Sequence, residues 1–175
     1  MVECAGHELL GGTKMPEATP VPGGPEIVSR LIKRGETVAT AESCTGGLIA
    51  HSITDVAGSS ACFLGGVVAY SNEAKMKFLK VDKSTLLDQG AVSEEVAAQL
   101  SGGAKSAFGS SWAVGVTGIA GPGGGTKEKP VGLVYIGIAG DNVLEVSRNL
   151  FEGSRQAIKQ ATANAALTML WRHLS

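Results

Sequence analysis

The chain has 175 residues, 43% of them hydrophobic, which supports one domain with a sizeable core and is too short for two. Its formal net charge of −1, without a long run of like charge, argues against a nucleic-acid surface and against electrostatic attachment to a membrane. Apolar runs are interrupted well before they could cross a bilayer, and the amino end lacks the order of a signal peptide. We therefore expect a cytoplasmic protein whose partner is a small molecule.

The first half of the chain alternates helix and strand signals. Residues 1–25 lack periodicity and are interpreted as a flexible leader, which leaves residues 26–175 as the domain. A short helix is predicted from Glu26 to Lys33, with Gly35 as its stop. The elements predicted next, in chain order, are a strand at 37–40, a helix that begins near Leu48, a strand at 61–71 that ends with Tyr70, and a helix at 72–79.

The second half of the chain predicts a long helix, a hairpin and a final helix. Ser93 is typical of an N-cap, and Gly109 ends the helix that follows. Strands are predicted at 112–117, 131–139 and 143–150, the last two joined by a hairpin turn and therefore antiparallel. The apolar stripe of the final helix, residues 155–174, consists of Ile158, Ala161, Ala165, Met169, Leu170 and Leu174. We expect a single layered α/β domain with a mixed β-sheet covered by helices and a long C-terminal helix.

The three cysteines, Cys4, Cys44 and Cys62, are odd in number, and none belongs to a Cys-x-x-Cys pair. This spacing argues against a disulfide framework and against a thiolate metal site. We therefore expect free thiols in a reducing compartment and no bound metal.

Residues 40–47 (TAESCTGG) place Ser43 at a turn between a predicted strand and a predicted helix. Backbone N–H groups at such a helix start lack internal partners and can donate to an oxyanion or a phosphate. Gly46 and Gly47 would let a substrate approach the backbone closely. A serine or threonine at this place is also typical of an ordinary N-cap, so the turn alone leaves both interpretations open.

A nucleophilic Ser43 would require a base, and none of the three histidines of the chain is well placed to act as one. A lysine can serve if burial or nearby positive charge lowers its pKa. Lys75 is the candidate, because it follows Tyr70 at another strand-to-helix junction; the alternative is a solvated lysine on a charged helix face. Cys44 is a rival nucleophile, although without a positioned histidine an ordinary buried thiol is favoured.

A glycine-rich loop at residues 117–125 (TGIAGPGGG) follows a predicted strand, as phosphate-binding loops do. A Walker loop requires Gly-Lys-Ser/Thr before a helix, and a dinucleotide loop requires a glycine where Thr126 stands. Residues 127–130 lead into a strand instead, so the loop matches neither fingerprint. A mobile lid, a cradle of backbone N–H groups and a plain flexible connection all stay open.

Several short segments together carry a resemblance to a known family. They are residues 41–47 (AESCTGG), 70–72 with Lys75, 90–93 (GAVS), 117–122 (TGIAGP), 129–132 (KPVG), and Phe151, Gly153 and Arg155. In this order they resemble the carboxyl-terminal domain of the competence/damage-inducible CinA proteins, the family of nicotinamide mononucleotide deamidases. The resemblance covers most of the chain.

The resemblance implies hydrolysis of the carboxamide of nicotinamide mononucleotide to nicotinic acid mononucleotide and ammonia, a reaction of pyridine-nucleotide salvage. It implies no redox cofactor and no obligatory metal. Ser43 would be the nucleophile, with Tyr70 and Lys75 activating it and passing a proton to the leaving ammonia. Which of these two residues acts as the base stays open.

The resemblance also implies where the substrate binds. Backbone N–H groups around Thr45, Gly46 and Gly47 would hold the oxyanion or the substrate phosphate. Thr117 and Gly118 would form walls of the nucleotide site, and Arg155 would either pair with the phosphate or begin the last helix as a surface charge. We further expect a homo-oligomer that acts as a stand-alone deamidase, without the large amino-terminal domain of many members.

Two other functions stay open. A non-catalytic nucleotide-binding or regulatory module would hold a phosphorylated ligand without ammonia release, and the glycine-rich segments alone support it equally. A protein-interaction domain would use the apolar stripe of the terminal helix, which core packing explains just as well.

Overall fold

The computed structural model describes residues 23–175 of the chain. Of the predicted leader, residues 1–22 lie outside the described residues. The first helix begins at Gly24, two residues before the predicted start, and Gly23 is its N-cap. The N–H of Gly23 donates to the Glu26 carboxylate at 2.9 Å, so this side chain caps the helix start.

The described residues form six helices and five strands, with one 3₁₀ turn at Ser59–Ala61. The helices are α1 (Gly24–Arg34), α2 (Leu48–Thr54), α3 (Asn72–Leu79), α4 (Lys83–Asp88), α5 (Glu94–Phe108) and α6 (Arg155–Leu174). The strands are β1 (Val38–Glu42), β2 (Phe63–Val68), β3 (Trp112–Gly118), β4 (Leu133–Ala139) and β5 (Leu144–Leu150).

The strands form one mixed sheet in the order β2-β1-β3-β4-β5. β1 pairs in parallel with both β2 and β3, whereas β4 is antiparallel to β3 and to β5. Every residue of β1 is buried, as expected for a parallel strand with neighbours on both sides and helices on both faces. The carboxyl ends of β2, β1 and β3 consequently lie at one edge of the sheet.

Helices cover both faces of the sheet and enclose two apolar cores. On one face α1, α2 and α6 pack together, with Ile27, Ile49 and Leu170 among their fully buried side chains. On the other face α3, α4 and α5 surround a smaller core that includes Leu79 and Leu100. The predicted fold class, a layered α/β domain with a mixed sheet and a long C-terminal helix, is confirmed.

Three local predictions differ from the structure. β1 runs to Glu42, two residues beyond the predicted end. β2 ends at Val68, so Tyr70 follows the strand instead of ending it. The sequence analysis missed α4, because a helix of six residues is too short for apolar periodicity to reveal it.

In the stripe predicted for α6, Ala161 and Ala165 are only partly buried, and Ala165 packs against the larger core. α6 contacts α1, α2 and the sheet, so its buried face is wider than one stripe. Within residues 23–175, neither this helix nor any other combines the length and apolarity needed to cross a membrane. The buried residues of α6 are Ile158, Thr162, Ala163, Ala166, Leu167, Met169, Leu170 and Leu174.

α5 lies unusually close to the middle of the sheet, over a pair of glycines in adjacent strands. Gly115 of β3 is paired with Gly137 of β4. A Cβ atom at Gly137 would lie 2.6 Å from the Ala97 carbonyl oxygen, and one at Gly115 would overlap the backbone nitrogen of Ser101. These contacts set the distance between α5 and the strands that carry the site.

Gly115→Ala should lower the free energy of unfolding by about 1–3 kcal/mol, because the added methyl group overpacks a rigid backbone contact. Urea denaturation of the purified variant measures the change. Gly102→Ala is the matched control, since a Cβ at this α5 position meets no atom within 4 Å. It should raise the free energy of unfolding by about 0.5–1 kcal/mol through helix propensity. Equal effects of the two substitutions would contradict the packing argument.

Candidate active site

The carboxyl edge of the parallel strands brings the predicted site residues together. Ser43 directly follows β1, and Gly118 is the last residue of β3. A pocket of about 240 Å³ opens between these strand ends. Its walls come from residues 43–44, 70–75, 91–92 and 117–120, together with Arg155 at the start of α6.

Lys75 reaches the proposed nucleophile directly. Its Nζ lies 3.2 Å from Ser43 Oγ and donates to the Ala69 carbonyl oxygen at 2.9 Å. The residue is only 2% exposed, so the alternative of a solvated helix lysine is wrong. Burial lowers the pKa of Lys75 below its ordinary value of 10.5, against a smaller opposing charge effect of Cys44. The predicted Ser-Lys contact is therefore formed, and its environment favours the neutral amine.

α3 presents Lys75 toward the pocket from its first turns. Ser71 is its N-cap, and the Ser71 hydroxyl accepts the Ala74 N–H at 3.1 Å. This cap fixes the start of the helix directly after the segment that leaves β2. Lys75 consequently points back toward the strand ends, where the Ala69 carbonyl orients its Nζ.

Glu42 is the last residue of β1, and its carboxylate lies at the start of α2. Its carboxylate accepts the backbone N–H groups of Gly47 at 3.0 Å, Ile49 at 3.1 Å and Ala50 at 2.8 Å. The side chain is 1% exposed. A carboxylate at this place satisfies the N–H groups that a helix leaves unpaired at its start. The Glu42 carboxylate therefore takes the place at the start of α2 where an anionic ligand would otherwise bind.

This arrangement corrects the predicted anion-binding role of Gly46 and Gly47. The Gly47 N–H donates to Glu42, and the Gly46 N–H donates to the Ser43 carbonyl oxygen at 3.2 Å. Both glycines have left-handed backbones, with φ of 65° and 97°, which explains why glycine stands at both positions. They shape the turn and do not line the pocket.

Thr45 is fully buried behind the pocket and does not line it. Its Oγ1 has no hydrogen-bond partner among the described residues. The backbone N–H groups of Cys44 and Thr45 likewise donate to no carbonyl or carboxylate oxygen of residues 23–175.

Cys44 is a buried thiol, as the sequence favoured. It is 6% exposed, and burial raises its pKa to about 11. The group is consequently a neutral thiol near neutral pH and a poor nucleophile. Its neighbour Ser43, and not Cys44, is the residue hydrogen-bonded to Lys75.

Tyr70 lines the pocket, but the activating contact predicted for it is not formed. Its hydroxyl accepts a hydrogen bond from Arg155 Nη2 at 2.7 Å, and it bonds neither to Ser43 nor to Lys75. The side chain is 60% exposed. Arg155 Nη1 donates to the Gly121 carbonyl oxygen at 2.8 Å. Arg155 therefore joins Tyr70 to the glycine-rich loop at the pocket mouth, and it is more than a surface charge.

The remaining wall is held by two polar contacts. Thr117 is buried, and its hydroxyl donates to the Ala91 carbonyl oxygen at 2.6 Å. Lys129 Nζ donates to the carbonyl oxygens of Gln89 and Val92. The connection from β3 to β4, residues 119–132, is thus held at Gly121 by Arg155 and at Lys129 by two backbone carbonyl groups.

Sequence reasoning assigned no role to Glu42 or to Asn72, which also lines the pocket. A recognisable signal existed for Glu42. It is the one charged residue of its strand, shortly before a helix start, and acidic groups are favoured at helix starts. No signal in the sequence separated Asn72 from an ordinary first-turn residue.

Larger depressions elsewhere lack a comparable pair of side chains. One of about 600 Å³ lies beside the carboxyl end of α5 and the amino end of β3, away from the strand ends that carry Ser43. Its lysine, Lys105, is paired with Asp141 at 2.8 Å. Among residues 23–175, no cluster of three or more histidine, cysteine or acidic side chains has the arrangement of a metal site.

Known proteins that resemble this chain are described as CinA-like or as competence-damage inducible. The family model described as the CinA C-terminal domain matches residues 24–174. A protein of Moorella thermoacetica described as competence-damage inducible is 56% identical over 144 residues, which are 82% of this chain and 35% of that protein. A CinA-like protein of Syntrophomonas wolfei is 50% identical over 148 residues, with coverages of 85% and 36%. The chain thus spans about a third of the length of these relatives.

Solved structures give the same result. The competence/damage inducible protein CihA of Agrobacterium tumefaciens superposes with a TM-score of 0.81 at 43% identity, covering 89% of this chain and 98% of that one. A CinA superfamily protein of Enterobacter cloacae superposes with a TM-score of 0.86 at 27% identity, covering 96% and 100%. Because the family model matches nearly all of the described residues, this chain belongs to the CinA C-terminal domain family.

Proposed function

We propose that this domain is an amidohydrolase that converts nicotinamide mononucleotide to nicotinic acid mononucleotide and ammonia. The observation that carries the proposal is the contact of a buried lysine amine with a serine hydroxyl, 3.2 Å between Lys75 Nζ and Ser43 Oγ, inside a pocket. Membership of the CinA family supports the choice of substrate, through the resemblance described above.

The first half of the reaction forms an acyl-enzyme. The neutral Lys75 amine accepts the Ser43 hydroxyl proton while Oγ attacks the carboxamide carbon, and the carbonyl electron pair moves to its oxygen. Collapse of this oxyanion breaks the C–N bond, and the leaving nitrogen takes the proton from the Lys75 ammonium. Ammonia departs, and the nicotinoyl group remains as an ester on Ser43.

The second half hydrolyses the ester by the same proton path. Water attacks the ester carbon and gives its proton to Lys75, which passes it to the departing Ser43 oxygen. The hydrogen bond from Nζ to the Ala69 carbonyl directs the amine lone pair toward Ser43 in both halves. Nicotinic acid mononucleotide and the free serine are the products.

The backbone N–H of Cys44, a residue that lines the pocket, is the donor left for the oxyanion, since those of Gly46 and Gly47 are already bound within the turn. The N–H of the residue after a nucleophile serves this purpose in other serine hydrolases. Removal of one such donor typically costs about 2.7–4 kcal/mol of barrier stabilisation.

The size of the pocket indicates how the substrate lies. Its volume of about 240 Å³ is smaller than usual for a whole ligand, for which about 300–1,000 Å³ is typical. We therefore place the nicotinamide ring inside, next to Ser43, and the phosphate at the mouth. Arg155 lies at that mouth and offers a planar guanidinium that suits a phosphate.

Ser43→Ala and Lys75→Met should each abolish ammonia release from nicotinamide mononucleotide, because the first removes the attacking oxygen and the second removes the base. Ammonia release and the mass of the product are measured with the purified protein. Substrate binding without any ammonia release in the wild type would instead support the non-catalytic nucleotide-binding module.

Lys75→Met also provides its own control for folding. Burial disfavours the charged amine, so the lysine costs folding free energy at pH values below its lowered pKa. Methionine fills a similar volume without that cost. The variant should unfold at the same temperature as the wild type or higher, and a large drop would mean that lost turnover reflects lost structure.

The pH dependence of kcat/KM should follow the neutral form of Lys75. Because burial lowers the pKa of Lys75, the rate should rise with pH and level off at an inflection below 10.5, the ordinary lysine value. Steady-state kinetics from neutral to alkaline pH measure the profile. Lys77→Ala, at an exposed lysine of the same helix, should leave the inflection unchanged. A rate independent of pH over this range would exclude a lysine base.

Arg155→Ala should raise KM for nicotinamide mononucleotide by about 10- to 150-fold, since a charge-assisted hydrogen bond is worth about 1.5–3 kcal/mol. Nicotinamide riboside, which lacks the phosphate, should be hydrolysed with little change in KM between wild type and variant. Arg172→Ala, in the last turn of α6, removes the same charge far from the pocket and serves as the control. An equal loss for both substrates would place the phosphate elsewhere.

A further inference from the structure

We propose that Glu42 is a positioning residue for the reaction, and that its carboxylate fixes the turn on which Ser43 meets Lys75. This inference rests on the proposed function. Glu42 itself touches neither reacting atom, because both of its oxygens face the start of α2.

The carboxylate of Glu42 is held entirely by backbone groups. Oε2 accepts the N–H groups of Gly47 and Ile49, and Oε1 accepts that of Ala50. Among residues 23–175, no lysine, arginine or histidine forms an ion pair with it. A buried charge that lacks a charged partner requires compensation, which here comes from the N–H groups and the dipole of α2. The side chain therefore binds β1 to α2 across the turn that carries Ser43.

The same residue is also connected to the lysine side of the site. Its carbonyl oxygen accepts the Ala69 N–H at 2.8 Å, and the Ala69 carbonyl in turn accepts Lys75 Nζ at 2.9 Å. On the other side, the Ser43 N–H donates to the Val116 carbonyl of β3 at 3.1 Å. Glu42 is thus hydrogen-bonded to Ala69, which orients Lys75, and it directly precedes Ser43 in the chain.

Loss of the carboxylate would free one side of the turn. Three backbone N–H groups at the start of α2 would lose their acceptor, and the first turn of the helix would move to find others. The distance between Ser43 Oγ and Lys75 Nζ depends on that turn. A displacement of about 1 Å between reacting groups can cost about 100-fold in rate.

The test compares wild type with Glu42→Gln, which keeps the size of the side chain and removes its charge. We expect kcat for nicotinamide mononucleotide to fall by about 100-fold with KM little changed, because Thr117 and Arg155 at the substrate wall are untouched. Kinetic constants are referred to the folded fraction, measured by thermal unfolding under assay conditions. A folded variant with wild-type kcat would show that Glu42 has only a structural role and overturn the proposal.

A matched control separates positioning from general destabilisation. Ile53→Val lies on the buried face of the same helix, away from the turn, and removes one methylene group from the core. It should lower the unfolding temperature and leave kcat unchanged. A fall in kcat as large as that of Glu42→Gln would mean that any weakening of α2 suffices, which contradicts a specific role for the carboxylate.

A second variant and a second readout keep the inference testable. Glu42→Asp retains the charge but shortens the side chain, so it should fold and still lose part of kcat; wild-type kcat in this variant contradicts the proposal. The rate at which a fluorophosphonate reagent labels Ser43 should fall in the same order as kcat. If the wild type releases no ammonia but is labelled at Ser43, the proposed substrate fails, while the labelling rates still decide the role of Glu42.

Discussion

The chemistry of this domain depends on β1 lying between two parallel neighbours. Because β2, β1 and β3 run in the same direction, the chain leaves all three at one edge of the sheet. Ser43 and Lys75, 32 positions apart in sequence, meet there within hydrogen-bond distance. The antiparallel β4 must begin at that same edge, which places the glycine-rich connection over the pocket. The direction of β4 therefore decides which loop lies beside the pocket.

Two buried ionisable groups, Glu42 and Lys75, lie near this edge of the sheet, and the protein compensates them in different ways. Burial lowers the pKa of Lys75, which shifts its equilibrium toward the neutral amine, the form that accepts a proton in the proposed reaction. Glu42 keeps its hydrogen bonds to the start of α2. Neither forms an ion pair with the other. Such a pair would stabilise the charged lysine, and its absence leaves the neutral amine that the proposed mechanism requires.

Local sequence patterns predicted much of this arrangement. Apolar periodicity predicted α1, α3, α5 and α6, and the motif around Ser43 together with Lys75 predicted the pair that the structure brings together. Contacts between distant segments were beyond such patterns. The hydroxyl of Tyr70 could bond to any donor at the pocket mouth, and only the docking of α6 gives it Arg155. Likewise, the sequence did not show which group accepts the N–H of Gly47. The acceptor is the Glu42 carboxylate, which the length of β1 places beside it.

The pocket walls come from segments that span residues 43–155, more than half of the chain. A ribosome adds residues in order, so the serine, the lysine and the β3 wall all emerge before the guanidinium at the start of α6. α6 also closes the larger apolar core by packing on α1 and α2. The same step, the docking of α6, consequently completes both the pocket wall and the larger core. A nascent domain would gain the Arg155 wall of its pocket only when α6 docks.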